Sequence, residues 1–318
     1  IINSYQQWKE ATTKVKQDVY IKLNTDIDFS DKPYYAIGSA SNYLNSTFDG
    51  GYHKISNVTV NGINNLGIAG YINGGTLKGL NVDNLTVSSI NTNVGGIAGY
   101  NAGGGKIIGL NINNANVKGG TNVGGVVGLL NLGSINEVNI SGNIESSGAR
   151  AGGVIGSNDN QNNKVTSVLV NANVKSSDHS GGIIGFNSPG PVLSGIVESG
   201  TITSSRGGRI SGWTSISGGY ASTSVVLSLS NIGESGTSFK LDNEMLSGYD
   251  GILDTWIGGD NDSSGYYFDY DENNKIVVKS VEREPITFTL KGNGTEESPY
   301  IINSYQQWKE ATTKVKQD

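Results

Sequence analysis

The feature that most limits how this chain can fold is a short motif that returns at a nearly constant step. A Gly-Gly-apolar-apolar-Gly core stands at 95–99 (GGIAG), 124–128 (GGVVG), 152–156 (GGVIG) and 181–185 (GGIIG). An earlier copy reads LGIAG at 66–70, and a degenerate one reads GRISG at 208–212. The closing glycines are Gly70, Gly99, Gly128, Gly156, Gly185 and Gly212, so the steps are 29, 29, 28, 29 and 27 residues. Self-similarity at such a period is the signature of a stacked-repeat architecture, in which each unit buries its apolar face only against its neighbours.

Other positions keep the same step. One apolar column is Leu80, Leu110, Val138, Val168 and Ile196, a second is Val82, Ile112, Ile140 and Val170, and a third is Val87, Val117, Ile144, Val174 and Ile202. Within a unit the apolar residues alternate over short runs, which is the period of a strand. Turn-forming Gly, Asn and Ser separate the runs. A unit of this length holds about three short strands and has no room for a crossover helix. The pattern predicts an all-β chain, a right-handed parallel β-helix with coils of about 28–29 residues, each strand bonded to its equivalent in the next coil about 4.8 Å away. Asn81, Asn111 and Asn139 then stack as a polar ladder beside the first column. A leucine-rich repeat lacks its leucine-and-asparagine pattern here, and a propeller blade needs about 40 residues.

Composition removes several chemistries. Among 318 residues, 22 Lys and Arg oppose 28 Asp and Glu, a net charge of −6, which argues against nucleic acid as a partner. The chain has no Cys and two His, His53 and His179, so cysteine nucleophiles, thiolate zinc sites and multi-histidine sites are not expected. No run of apolar residues is long enough to span a bilayer, so membrane insertion is not expected.

Candidate sites are few. Acids in the regular coils are Asp83, Glu137, Glu145, Asp159, Asp178 and Glu198, in different columns, where glycan cleavage needs paired carboxylates in a cleft. No catalytic residue and no enzyme activity is therefore expected. Asp26 and Asp28 share one strand face in TDIDF; with Asp31 they could hold a cation, but bonding to amides of the first coil is the simpler reading. Asp260 and Asp262 in DNDSSGYYFDYDEN match part of a calcium loop, yet Ser264 and Asp271 stand where further ligands belong. The expectation is no cofactor, with calcium at Asp260 and Asp262 as the one metal candidate and a solvated acidic loop as its plain alternative. Trp213 and Trp256 read as packing residues near the end of the coils.

The chain opens and closes on the same eighteen residues: IINSYQQWKEATTKVKQD fills both 1–18 and 301–318. Ser4 is a candidate N-cap, and Tyr5, Trp8, Ala11 and Val15 share one face, so 4–17 reads as an amphipathic helix that caps the exposed edges of the first coil. Trp308 is the same position in the second copy.

GLNVDNLTV at 79–87 and GLNINNANV at 109–117, each after a GG-apolar-apolar-G strand, resemble the GLUG-motif family of bacterial surface proteins. GNGTEESPYIINSYQQW at 292–308 is similar to the opening segment of such domains, and ILDTWIGGDNDSSGYYF at 252–268 to their closing segment. The resemblance covers nearly the whole chain and implies an organisation. Residues 1–18 are the capping helix, 19–230 the parallel β-helix, 231–291 an exit segment with a strand pair or linker strand, and 292–318 the start of the next tandem unit. It implies a repeat unit of a long extracellular fibre, stalk or adhesin at the cell surface. Its partners would be neighbouring copies of the unit, in tandem or end to end, with host or matrix glycans as further candidates. The alternative is a carbohydrate-binding or carbohydrate-cleaving β-helix.

Overall fold

The computed structural model describes residues 1–187, 190–213, 219–221, 226–229, 265–273 and 275–280. The chain falls into two units, Ile1–Ser280 and Val281–Asp318, and the described residues belong to the first. Trp256, Asp260, Asp262 and Trp308 lie outside the described residues.

The first unit is a parallel β-solenoid of about six turns with one N-terminal helix and a small antiparallel sheet near its end. Long strands such as Thr76–Ser88, Ala98–Gly119 and Val127–Ser146 wrap corners and pair in parallel with their neighbours. A second stack holds Thr92–Gly95, Thr121–Gly124, Arg150–Gly152, His179–Gly181 and Arg206–Gly208. The corners use left-handed backbone: Gly79, Gly109, Glu137 and Ser167 form one corner column with φ between 50° and 67°, and Asn57, Asn84 and Asn114 another with φ near 55°.

The expected columns pair in register: Val82, Ile112, Ile140 and Val170, and Val87, Val117, Ile144, Val174 and Ile202, are consecutive Cα partners and almost wholly buried. Ile68, Ile97, Val126, Val154, Ile183 and Ile210 of the glycine motif complete the core, all at 0% exposure. Burying one such side chain contributes about 1.5–3 kcal/mol. The motif's closing glycine is a steric requirement: a Cβ on Gly99 would lie 2.1 Å from the Asn65 carbonyl carbon, and one on Gly156 would lie 2.4 Å from that of Asn122.

The structure corrects two expectations. The first column ends at Val168. Val165 pairs with Leu193 but Val168 with Gly195, so the sixth coil loses one residue at the corner, and Ile196 pairs with Leu169 instead of Val168. A slip of one residue sends a side chain to the opposite face, and Ile196 turns outward. The helix, in turn, spans only Tyr5–Ala11 (α1). After Thr12 and Thr13, two β-branched residues with low helix propensity, the chain makes tight turns. The Val15 carbonyl there accepts from Asn45 N at 3.1 Å and Ser46 N at 3.2 Å, edge amides of the first coil that a continuing helix would leave unmet.

Candidate functional site

Three surfaces of the first unit gather polar or aromatic side chains. The first is the seam under the C-terminal hairpin, whose strands Tyr266–Tyr270 and Ile276–Ser280 pair antiparallel. The outward column beneath it reads Asn81, Asn111, Asn139, Leu169, Ile196. Its first half binds the hairpin backbone. Asn111 Nδ2 donates to Val278 O at 2.8 Å while Val278 N donates to Asn111 Oδ1 at 2.7 Å, so one amide offers the donor and acceptor a neighbouring strand would offer. Asn139 Nδ2 donates to Ile276 O at 2.8 Å, and Asn111 also donates to Asn81 Oδ1. The second half packs: Leu169 and Ile196 form a buried cluster with Tyr266, Phe268 and Val278.

The two GLN segments now have a physical role each. Leu80 and Leu110 point into the core, Asn81 and Asn111 face the hairpin, and Gly79 and Gly109 turn the corner. Gly109 also makes room, because a Cβ there would lie 2.6 Å from the Tyr266 ring. In the next coil the same corner holds Glu137, buried at 5% exposure and at φ 52°. Burial first, then the charges of Glu137 and Asp49 among others, push the Tyr52 and Tyr266 phenols well above the ordinary value. Glu137 and Asp49 thus act on the same two phenols, a proximity the sequence reading missed. Its one signal was a Glu aligned with two corner glycines. Tyr266 and Glu137 are both covered, whereas Tyr52 lines an open cleft of about 610 Å³ with Asp26, Asp83 and Asp271.

The second surface is a flank carrying two adjacent columns. Tyr43, Tyr71, Tyr100, Leu129, Ser157, Phe186 and Trp213 rise one per coil. Trp213 is half-buried here, stacked at 6.2 Å on Phe186, and not a core residue. Beside them run Asn65, Asn93 and Asn122, whose amides bond in series at 3.0 and 2.9 Å, and then Arg150, His179 and Arg206. Arg150 stacks on Phe186, 3.8 Å from its centroid, and donates to Ser157 Oγ. Arg206 holds Asp178 with two hydrogen bonds at 2.8 and 2.7 Å, and His179 Nδ1 lies 3.1 Å from the same carboxylate. Burial raises the Asp178 pKa, but Arg206 and Ser205 outweigh it and hold the carboxyl below its usual value. Burial lowers that of His179, which keeps the ring neutral. Tyr71 and Tyr100 stack 4.9 Å apart at 18°, so the ring faces along this column turn toward one another.

The third surface is an open trough of about 530 Å³ on the strand face after the Asn114 corner. Asn143 accepts from Asn173 at 3.0 Å, and Glu145 sits between Lys118 and Lys175 at 3.4 and 3.0 Å. The one carboxylate is shared by two ammonium groups, which leaves the trough with a net charge of +1. At the first coil, Asp26 Oδ1 accepts from Lys54 N at 2.9 Å and lies 3.2 Å from His53 Nδ1. Asp28 Oδ1 accepts from Ser30 N, Ser30 Oγ and Asn57 Nδ2. These bonds, the Asn57 one foremost, hold the Asp28 carboxyl down at about 2. Asp31 is exposed beside them. Among the described residues no three His, Asp or Glu gather as a metal ligand set.

No protein-family model matches the chain, and no curated protein matches it. A solved structure from Bacteroides ovatus, described as a "putative immunoglobulin A1 protease", is similar over 86% of this chain and 89% of that chain, with a TM-score of 0.60 and 17% identity. At that identity the likeness is one of fold: both chains are β-solenoids.

Proposed function

We propose that this chain is a structural unit of a long extracellular bacterial fibre, stalk or adhesin related to the GLUG-motif domains. Residues 292–318 would begin the next unit of a tandem array. The observation that carries the reading is the cap. Residues 1–18 are built into the first coil, with Trp8 at 0% exposure, and the same eighteen residues recur at 301–318. A segment made to close a first coil has its use where another first coil follows. Exposed solenoid ends are the liability of the architecture, and a cap at each junction keeps units separate while the covalent chain joins them.

The exposed columns fit a mechanical role, since their asparagines, lysines and glutamates satisfy each other from coil to coil. The runner-up, a carbohydrate-binding or carbohydrate-cleaving domain, draws on the aromatic flank, where Tyr71 with Tyr100 and Phe186 with Trp213 each turn one ring face to the other. Immunogold electron microscopy of intact cells, with an antibody against the eighteen-residue segment, tests the proposal. Label repeating along filaments outside the cell is the expected image, and label confined to the cell interior contradicts it. A parallel glycan screen with a hydrolysis assay sinks the mechanical reading if turnover is found and one Asp or Glu change abolishes it.

A further inference from the structure

The cleft beside the hairpin has two walls. Its floor is the outward face of four successive coils, where Asp26, Lys54, Asp83 and Asn113 stand, and its side is the hairpin from Asp271 to Lys279. Together they bound about 610 Å³ of open space. The hairpin turn is pinned in place. Asp271 Oδ1 accepts from Asn273 N and Lys275 N, both at 2.9 Å, and Lys275 Nζ crosses to the floor and donates to Asn113 Oδ1 at 2.6 Å. The cleft is therefore preformed.

On the flank and in the trough, outward polar groups satisfy one another from coil to coil. On this floor the ladder breaks. Asn113 is the register partner of Asp83, but its oxygen is taken by Lys275. Among the described residues, Asp83 receives only Asn114 Nδ2, at 3.4 Å. Lys54 is exposed one coil and two residues away, and its ammonium bonds to no side chain or carbonyl among the described residues. Asp26 and Asp271 each spend Oδ1 on backbone amides, and Oδ2 of each has no partner among the described residues.

These groups define a ligand chemistry. Three carboxylates (Asp26, Asp83, Asp271) and three ammonium groups (Lys54, Lys275, Lys279) line the cleft, so their formal charges cancel and a strongly charged ligand gains nothing from the net field. An apolar ligand would meet amides and charges where such sites offer mostly hydrophobic walls. An extended peptide would need a free strand edge, and the hairpin edge facing the floor is spent at Val278 and Ile276 on Asn111 and Asn139. Neighbouring hydroxyls of a sugar ring each donate and accept, so one ring bridges a carboxylate and an ammonium set a coil apart. We propose that this cleft binds a neutral saccharide of a few sugar units, with Asp83 accepting from its hydroxyls and Lys54 donating to them. The volume lies within the range of about 300–1,000 Å³ usual for small-ligand sites. The inference goes beyond the fibre reading and does not rest on it, because every lining residue belongs to the first unit.

The test uses the whole 318-residue chain and saturation-transfer NMR, which reads weak binding. The probes are maltotetraose, cellotetraose, mannotetraose, galactotetraose and chitotetraose, with tetragalacturonate and a heparin tetrasaccharide as acidic comparisons. Transfer to at least one neutral probe is expected. Transfer to none, or to the acidic pair alone, overturns the inference. In the wild-type chain the bound probe should shift the backbone amide signals of Lys54, Asp83 and Asn113, a readout that needs no variant. Asp83→Ala and Lys54→Ala should each weaken binding about tenfold with thermal melts unchanged, the loss of one charge-assisted hydrogen bond. Glu145→Gln in the trough and Tyr71→Ala on the aromatic flank should leave it as it was. Binding that survives both cleft changes, or that disappears from a folded Tyr71→Ala chain, places the ligand elsewhere and overturns the inference. The immunogold result stands apart: filaments without saccharide binding reject only the cleft, and binding without filaments rejects only the fibre.

Discussion

Two outward columns of the same solenoid start alike and end differently. The seam column runs through asparagines to Asn139 and then turns apolar at Leu169 and Ile196. The flank column runs through asparagines to Asn122 and then turns cationic at Arg150, His179 and Arg206. An asparagine ladder is self-sufficient, because each amide donates to the side-chain oxygen of the asparagine one coil before it. What interrupts it is whatever covers the column. On the seam the cover is the hairpin, which presents backbone at Ile276 and Val278 and side chains at Tyr266 and Phe268. On the flank the cover is the Phe186 and Trp213 stack, over whose rings the Arg150 and Arg206 guanidinium groups lie at 3.8 and 5.3 Å from the centroids. The same coil spacing therefore hosts three different chemistries.

Substitutions can break this comparison. The largest effect is expected from Leu169→Asn, which writes the first half of the seam column into the second. It puts an unmatched amide among Tyr266, Phe268 and Val278, and chemical denaturation should show a loss of about 3 kcal/mol. Asn111→Ala comes next, at about 2 kcal/mol, because it leaves both Val278 N and Val278 O unpaired where they are buried. Asn139→Ala removes a single bond and should cost about 1 kcal/mol in the same assay. Equal losses at the two asparagines would show that the amides serve the ladder and not the hairpin.

Gly109→Ala sharpens the same point. A methyl there meets the Tyr266 ring and sits at φ 67°, for a combined loss of about 1–2 kcal/mol. With Tyr266→Ala in place, the added cost of Gly109→Ala should fall to the backbone part alone, about 1 kcal/mol. A cycle with no coupling would remove the hairpin from the account.

The smallest effect is on the flank and depends on pH. His179 has its folded pKa lowered, so its unfolded form binds a proton first as pH falls, and stability declines from about pH 6.5 downward. Asp178 is lowered as well, so its contribution is present above about pH 4 and is lost as pH falls through its folded value. Thermal melts should show two successive acid losses. His179→Asn, which removes the titrating ring, should erase the upper one and leave the lower.

Much of this was legible in sequence because a solenoid repeats its physics at a fixed step. The core columns, the asparagine ladder and the cap face of Trp8 and Val15 all follow from residue type at that step. Three features were not. The outward turn of Ile196 depends on one residue lost at a corner, which apolar spacing alone does not register. The end of α1 at Ala11 depends on the edge amides of Asn45 and Ser46, which are met by a Val15 carbonyl that the turned chain brings to them. The sequence reads as a strand pair or linker strand over 275–290, whereas the hairpin pairs 266–270 with 276–280, and its seat lies 137 and 167 residues away at Asn139 and Asn111. A contact so distant leaves only an indirect trace, the change from Asn139 to Leu169.

The central claim is that this chain is one unit, and the beginning of the next, in a tandem covalent array. The most direct test is an immunoblot of the source organism under fully denaturing conditions, with antibody to IINSYQQWKEATTKVKQD. A band many times heavier than 33.3 kDa is the predicted result. A band near the mass of a single unit would contradict it.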